Sequence, residues 1–334
     1  MNKPNVGTFL GHPKGLFLLF GTEMWERFSY YGMRAILVLY LVDLVERGGL
    51  GFTRGDALSL YGTFTMLVYL TPLIGGWLAD NFIGARKSIV IGGFLMAIGH
   101  FLMAGPALVP AYYTDKSGHD VEKILVQSNV PMGESLDKEI IIKDSVSNES
   151  LMLDNKPAKP ITIHESISNI VNNMDLKTEE KSSLIASVES AYKGIGFTFY
   201  LALAFIIIGN GFFKPNISTT VGQLYEEGDN RRDSGFTIFY MGINLGAFFG
   251  SLICGYFGES ASWGWHYGFS VAGIGMLIGL AIFMTYQNKL LGDIGKKPTK
   301  KFTLKSESRE PLTKIEFDRI KTLLIMVVFC NCFC

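Results

Sequence analysis

The chain has 334 residues, 48% of them hydrophobic, and its 30 basic side chains are balanced by 30 acidic ones. A formal charge of +0 lacks the basic excess of a nucleic-acid footprint, so no nucleic acid is expected among its partners. Outside residues 110–193 and 287–320 the apolar residues gather into successive runs far beyond the needs of a soluble core, and with a mean hydropathy of +0.27 they exclude a soluble enzyme.

A helix needs about 20 mostly apolar residues to cross the ~30 Å hydrocarbon layer. Six segments qualify: Leu16–Val45, Ala57–Ala79, Ser88–Leu108, Gly196–Gly222, Gly235–Phe257 and His266–Tyr286. The first is too long and too charged for a cleavable signal peptide and reads as a retained span. It carries Glu23, Glu26, Arg27 and Arg34, each of which costs about 2.5–3.5 kcal/mol at mid-bilayer on insertion scales. At ~100° per residue these four fall with Tyr30 and Tyr31 inside an arc of about 140°, so acids, bases and tyrosines share one face. Static ion pairs could account for such a face in a soluble protein. Inside a membrane it marks a substrate or ion pathway, and protonating either carboxylate would loosen its pairing with Arg27.

The second span places Tyr61, Thr65 and Tyr69 at i, i+4 and i+8, an aromatic stripe that is either packing or lining. Beyond the third span, residues 110–193 are polar; Glu139–Lys143 and Ile161–His164 look like short strands and Glu179–Tyr192 has helical spacing, as a small subdomain or a disordered loop would. The fourth span contains Gly209–Asn216 (GNGFFKPN), where Pro215 denies a donor to the Gly211 carbonyl and should kink or loosen the helix beside Lys214. In the fifth, Tyr240 and Asn244 share one face, while Gly242, Gly246 and Gly250 form a small-residue seam on another. A seventh run begins near Thr322. It reaches only Cys334, about 20 Å of rise, which leads to the expectation that the sequence is the front of a longer protein. Cys330, Cys332 and Cys334 fall in that run, so no metal site is read from them, and no cofactor is expected.

Lys3, Lys14, Arg86, Lys87, Arg231, Arg232 and the basic residues from Lys289 to Lys321 collect on one side of the membrane, against Arg47 and Arg54 on the other. The N-terminus is therefore expected to be cytoplasmic. The resulting division is 1–109 for spans one to three, 110–193 for an extracytoplasmic loop or subdomain, 194–286 for spans four to six, 287–321 for a cytoplasmic linker, and 322–334 for the start of a seventh helix. Within the membrane Arg27, Arg34 and Lys214 exceed Glu23 and Glu26 by one charge, which favours an anionic group such as a carboxylate.

Glu23–Arg27 (EMWER), continuing FSYYGMR, resembles the E-x-x-E-R-F-x-Y-Y-G signature of the proton-dependent oligopeptide transporters. Phe212–Ser218 (FFKPNIS) and Phe239–Gly246 (FYMGINLG) resemble two further signatures of that family, and Gly75–Lys87 (GGWLADNFIGARK) is similar to a loop motif of the major facilitator superfamily. The resemblance covers the chain except about 110–193. It implies an all-α membrane protein: the N-terminal six-helix bundle of the major facilitator fold plus the start of helix 7, with a long extracytoplasmic insertion between helices 3 and 4. The function it implies is proton-coupled symport of di- and tripeptides by alternating access, in the inner membrane if the source is bacterial.

Carried over by position, Glu23, Glu26 and Arg27 match the proton-coupling motif. Tyr30, Tyr31, Arg34, Tyr69, Lys214, Tyr240 and Asn244 match positions lining the peptide cavity, with Arg34 and Lys214 meeting the peptide carboxylate. The partners implied are peptides, protons, the lipid bilayer and a missing C-terminal six-helix bundle. Gly62 departs from the helix 2 histidine of mammalian members, which throws coupling onto the first-span acids. Two alternatives remain: a carrier of this fold for nitrate, an amino acid or a drug, and a membrane-anchored sensor with an extracytoplasmic ligand-binding segment. A membrane enzyme is not expected, since H-E-x-x-H, G-x-S-x-G and a complete phosphate-binding loop are all missing.

Overall fold

A computed structural model describes residues 7–108, 161–260 and 262–299, together with short pieces at 124, 139–140, 152–153, 156–157, 318 and 321–322. The molecule is built mainly from long helices: α1 (Lys14–Val42), α2 (Arg54–Leu78), α3 (Ala85–Leu108), α4 (Ile163–Asn172), α5 (Thr178–Gln223), α6 (Arg231–Gly258) and α7 (Trp265–Leu291). Among the described residues five segments are long and apolar enough to cross a membrane: Arg54–Ile83, Ala85–Gly105, Thr178–Gln223, Arg231–Gly258 and Trp265–Leu291. The 29-residue α1 rises about 43 Å and is set apart from those five by its charges.

Local chemistry fixes where the helices begin and turn. The Thr53 hydroxyl oxygen accepts from the Asp56 amide at 3.2 Å and starts α2. The end of α2 widens into a π-helical turn, Ala79–Ile83, after which Gly84 at φ +88 redirects the chain into α3. A side chain at Gly84 would lie 2.9 Å from the Lys296 carbonyl oxygen, so glycine serves both the backbone angle and the fit. Arg86, buried at the head of α3, donates to the carbonyls of Ile294 at 2.6 Å and Gly292 at 2.7 Å, tying down the turn that follows α7. Before α1, a small antiparallel hairpin pairs Thr8–Phe9 with His12–Pro13. Arg231 holds it by donating to the Gly11 carbonyl at 3.0 Å. The same guanidinium hydrogen-bonds Asp229 and pulls that carboxyl down to about 2.

Glycines let the helices approach closely. The expected seam on α6 packs against α1: a Cβ at Gly246 would stand 2.1 Å from the Met24 carbonyl oxygen, and one at Gly250 2.2 Å from that of Phe28. α5 continues through Pro215 without interruption. The Gly211 carbonyl that Pro215 leaves without its helical donor is covered by α2, where a Cβ on Gly75 would lie 2.0 Å away. In sum α1 packs on α6 and α7, α3 packs on α5 and α7, and α2 rests on α5.

The helix of the fourth expected span, α5, starts well before Gly196 and takes in the Glu179–Tyr192 stretch of helical spacing. It runs 46 residues from Thr178, about 69 Å, or more than twice the hydrocarbon thickness. Hydropathy marks the part of a helix that suits lipid, whereas the helix itself continues because Leu184 and Val188 are buried with Ile163, Ile167 and Val171 of α4. Glu139–Ile140 pairs antiparallel with Ile161–Thr162, as two of the short strands expected there. His164, read as part of the second strand, belongs to α4 instead, because the Thr162 hydroxyl oxygen accepts from the Glu165 amide and caps that helix. Most of 110–160, the linker beyond Thr299 except residues 318 and 321, and the seventh run after Thr322, with Cys330, Cys332 and Cys334, lie outside the described residues.

Candidate functional site

The site begins on α1. Glu23, Glu26 and Arg27 are 2%, 0% and 2% exposed, so three ionisable side chains of one helical turn are enclosed by protein. The Arg27 Nε donates to Glu26 and stands 3.1 Å from a Glu23 oxygen, so one guanidinium serves two carboxylates. Burial in low dielectric is tolerable for such charges only because they are paired. Arg27 also lies over the rings of Tyr30 and Tyr31, at 5.4 and 5.9 Å from their centroids, and these two rings meet edge to face at 5.3 Å.

The other elements bring the remaining cations to this face. Lys214 of α5 is partly buried, within electrostatic reach of Glu23, Glu26 and Arg27, and its ammonium stands 4.8 Å from the Tyr69 ring centroid on α2. Arg34, two turns outward from Arg27, donates to the Tyr61 hydroxyl and lies 5.3 Å over that ring. Each of the outer cations is therefore held against a tyrosine of α2. Tyr61, treated in the sequence only as part of a stripe, is a partner of Arg34; its i, i+8 spacing to Tyr69 was the available signal.

Tyr240 and Asn244 sit differently. They are exposed on α6, with Tyr240 at 56% and its ring beside Phe236 and Phe239. Both lie within about 20° of Ser251 around the helix, whose hydroxyl reaches the Tyr31 carbonyl at 3.5 Å. That contact puts their face beside the α1 tyrosines, not among the buried charges. The cleft is thus floored by α1 and α5 and flanked by α2 and α6. Those two flanking helices have only 22% of their apolar windows buried, against 50–56% for α3, α5 and α7. In a second cavity at the far end of α1, lined by Asp43, Arg47, Glu259 and Trp265, one of the two acids is engaged already, since Trp265 Nε1 donates to Asp43 at 2.8 Å. Among the described residues no group of three or more His, Cys, Asp or Glu could hold a metal ion.

Comparison with known proteins places the chain among relatives. A model of the POT family matches residues 86–297. The chain is 34% identical over 287 residues to an uncharacterized transporter, YclF, of Bacillus subtilis (strain 168), covering 86% of the chain and 40% of that protein. It is 32% identical over 294 residues to a di-/tripeptide transporter of Lactococcus lactis subsp. lactis (strain IL1403), covering 87% and 41%. Among solved structures, a peptide transporter POT in complex with sulfate superposes with a TM-score of 0.58 at 31% identity, over 98% of the chain and 46% of that protein. A POT family transporter in complex with 5-aminolevulinic acid gives a TM-score of 0.59 at 29% identity, over 98% and 47%. The chain spans about 40% of the length of the curated relatives it matches.

Proposed function

The chain belongs to the POT family, a transporter family rather than an enzyme family, and from that premise we propose that it forms the N-terminal part of a proton-coupled symporter of di- and tripeptides. On this reading α1 is a sixth span beside the five apolar ones, the N-terminus is cytoplasmic, and 110–193 is an extracytoplasmic insertion between the third and fourth spans. A second six-helix bundle would close over α2 and α6, and transport would proceed by alternating access between the two bundles.

The observation that carries the proposal is the buried Glu23–Arg27–Glu26 cluster facing Lys214 across the cleft. With both acids ionised, Arg27, Arg34 and Lys214 leave one positive charge in excess; protonating one acid raises the excess to two. A peptide carboxylate is held more strongly in the second state. Proton and peptide therefore favour each other's binding, and this reciprocity is what symport requires. Glu23, Glu26 and Arg27 take the coupling role, Arg34 and Lys214 meet the carboxylate, and Tyr30, Tyr31, Tyr69, Tyr240 and Asn244 supply ring faces and hydrogen bonds that read no particular peptide side chain. Metal ions and cofactors have no part in the scheme.

Proteoliposomes of the complete protein are expected to accumulate a labelled dipeptide only under an inward proton gradient. Accumulation that survives Glu26→Gln combined with Lys214→Ala would overturn the assignment. A second reading is a carrier of a smaller amino compound, favoured by the structural neighbour that binds 5-aminolevulinic acid. Competition of the uptake by tripeptides but not by free amino acids would exclude it.

A further inference from the structure

Two contacts fix how α1 and α5 face each other. Towards one end the Tyr40 and Phe199 rings stand 6.2 Å apart, and further along Lys214 is within electrostatic reach of Glu26. The helices run antiparallel, so each step back from Tyr40 on α1 answers a step forward from Phe199 on α5. That register brings Glu26 to Lys214 and, between the two contacts, sets Ser29 and Tyr30 level with Asn210.

Around α5, Asn210 lies about 20° from Phe199 and about 40° from Lys214, both of which meet α1. Gly209 and Gly211 on either side of it turn instead to α3 and α2, against Met96 and Thr71. Asn210 is thus aimed at α1. It is fully buried, and neither its side-chain oxygen nor its nitrogen has a hydrogen-bond partner. On the facing stretch of α1 the fully buried Ser29 hydroxyl and Glu26 Oε1 are likewise unpartnered. Four polar atoms left bare in a protein interior are costly, and they stand on two facing helices within about one turn of each other.

We propose that Asn210 is a positioning residue for Glu26, joined to it through a buried water held by Glu26, Ser29 and Asn210. A water can donate to the carboxylate and the amide oxygen while accepting from the amide nitrogen, and it needs two to four such partners. A metal cation fits less well: it would leave the amide nitrogen bare and would be repelled by Arg27 and Lys214. The charged groups acting on Glu26 are Glu23 and Arg27 on its own helix and Lys214 from α5.

The consequence concerns how the two helices communicate. An ionised Glu26 only accepts, whereas a protonated one can donate, so the water must turn over when the proton arrives. An amide presents both a donor and an acceptor and can follow either orientation. The charge state of Glu26 is then felt by α5 one turn away from Lys214. This functional meaning rests on the proposed coupling role of Glu26; the water site itself does not.

Infrared difference spectroscopy of the 334-residue chain in detergent, in ordinary and in oxygen-18 water, tests the site directly. The wild type is expected to show a bound-water O–H band that moves with the isotope. Glu26→Gln should shift the band, Asn210→Leu should abolish it, and Asn210→Ser, which replaces the amide by a hydroxyl that still donates and accepts and leaves room for the water, should retain it at a new position. A wild type without an isotope-sensitive band, or a band indifferent to these substitutions, overturns the proposal. Should Asn210→Leu fail to fold, the Asn210→Ser and Glu26→Gln shifts decide alone. None of these readouts needs a peptide or a second bundle, so a failure of peptide uptake would leave the result standing.

Discussion

Arg27 is enclosed between two carboxylates, while Lys214 is only partly buried and leans on a ring, so the same positive charge should behave differently in the two places. Arg27→Met would strand Glu23 and Glu26 in the protein interior, and breaking a buried pair costs about 3–5 kcal/mol. Lys214→Met removes a cation–π contact worth about 0.5–2 kcal/mol and leaves no partner bare. Denaturant unfolding of the two variants in one detergent is expected to show Arg27→Met as much the less stable, with Lys214→Met near the wild type. Equal, small losses would mean that the acids find water or other cations, and that the cluster does not depend on its arginine. Much of this was legible in the sequence, because an ionisable residue in an apolar run can survive only with a partner and the 3.6-residue period says which residues share its face. What periodicity cannot supply is the neighbour on another helix: the pairing of Arg34 with Tyr61 and the aim of Asn210 toward α1 follow from how helices are placed, not from spacing within one.

The helices meet through backbone as much as through side chains. Gly246 of α6 is pressed against the Met24 carbonyl and lies beside the Arg27 Cβ, whereas Gly255, two to three turns further on, faces open space apart from the tip of Glu259. Both gain roughly 1 kcal/mol of helix propensity on replacement by alanine, so propensity cancels in the comparison. Overpacking adds about 1–3 kcal/mol at Gly246 alone, since a backbone carbonyl cannot swing aside as a side chain can. Gly246→Ala should therefore lower the unfolding midpoint and Gly255→Ala should leave it unchanged or raise it; the reverse order would show that the seam is loose. The sequence divided α5 in two, a helical stretch over Glu179–Tyr192 and a span over Gly196–Gly222, and the structure joins them into one helix, whose polar turns are held by α4 on a surface where hydropathy has no bearing. Pro215 does not end the helix, and the neighbouring α2 covers the carbonyl that the proline frees.

At the scale of the molecule, one side of the bundle is finished and the other is open. α3, α5 and α7 bury half or more of their apolar windows, and α2 and α6 bury 22%. Leu73, Ile74 and Trp77 on α2, and Phe248, Leu252 and Tyr256 on α6, stand exposed to either side of the charged cleft. Tyr69, Tyr240 and Asn244 line that open side, so a peptide resting on Lys214 would meet the floor and the two flanks of the cleft and stay uncovered on the side facing away from the floor. Small-molecule sites usually bury about 70–90% of a ligand's surface, and a cleft without a cover does not reach that. On the proposed function, a carrier with a second bundle over this cleft is therefore expected to bind a dipeptide that this chain alone does not. Calorimetric titration of a dipeptide onto the 334-residue chain should show no saturable binding below about 1 mM, the weak end of specific recognition, while the complete protein gives a measurable isotherm under the same conditions. A tight isotherm from the chain by itself would place the entire recognition surface on α1, α2, α5 and α6, and would remove the reason for a second bundle in binding.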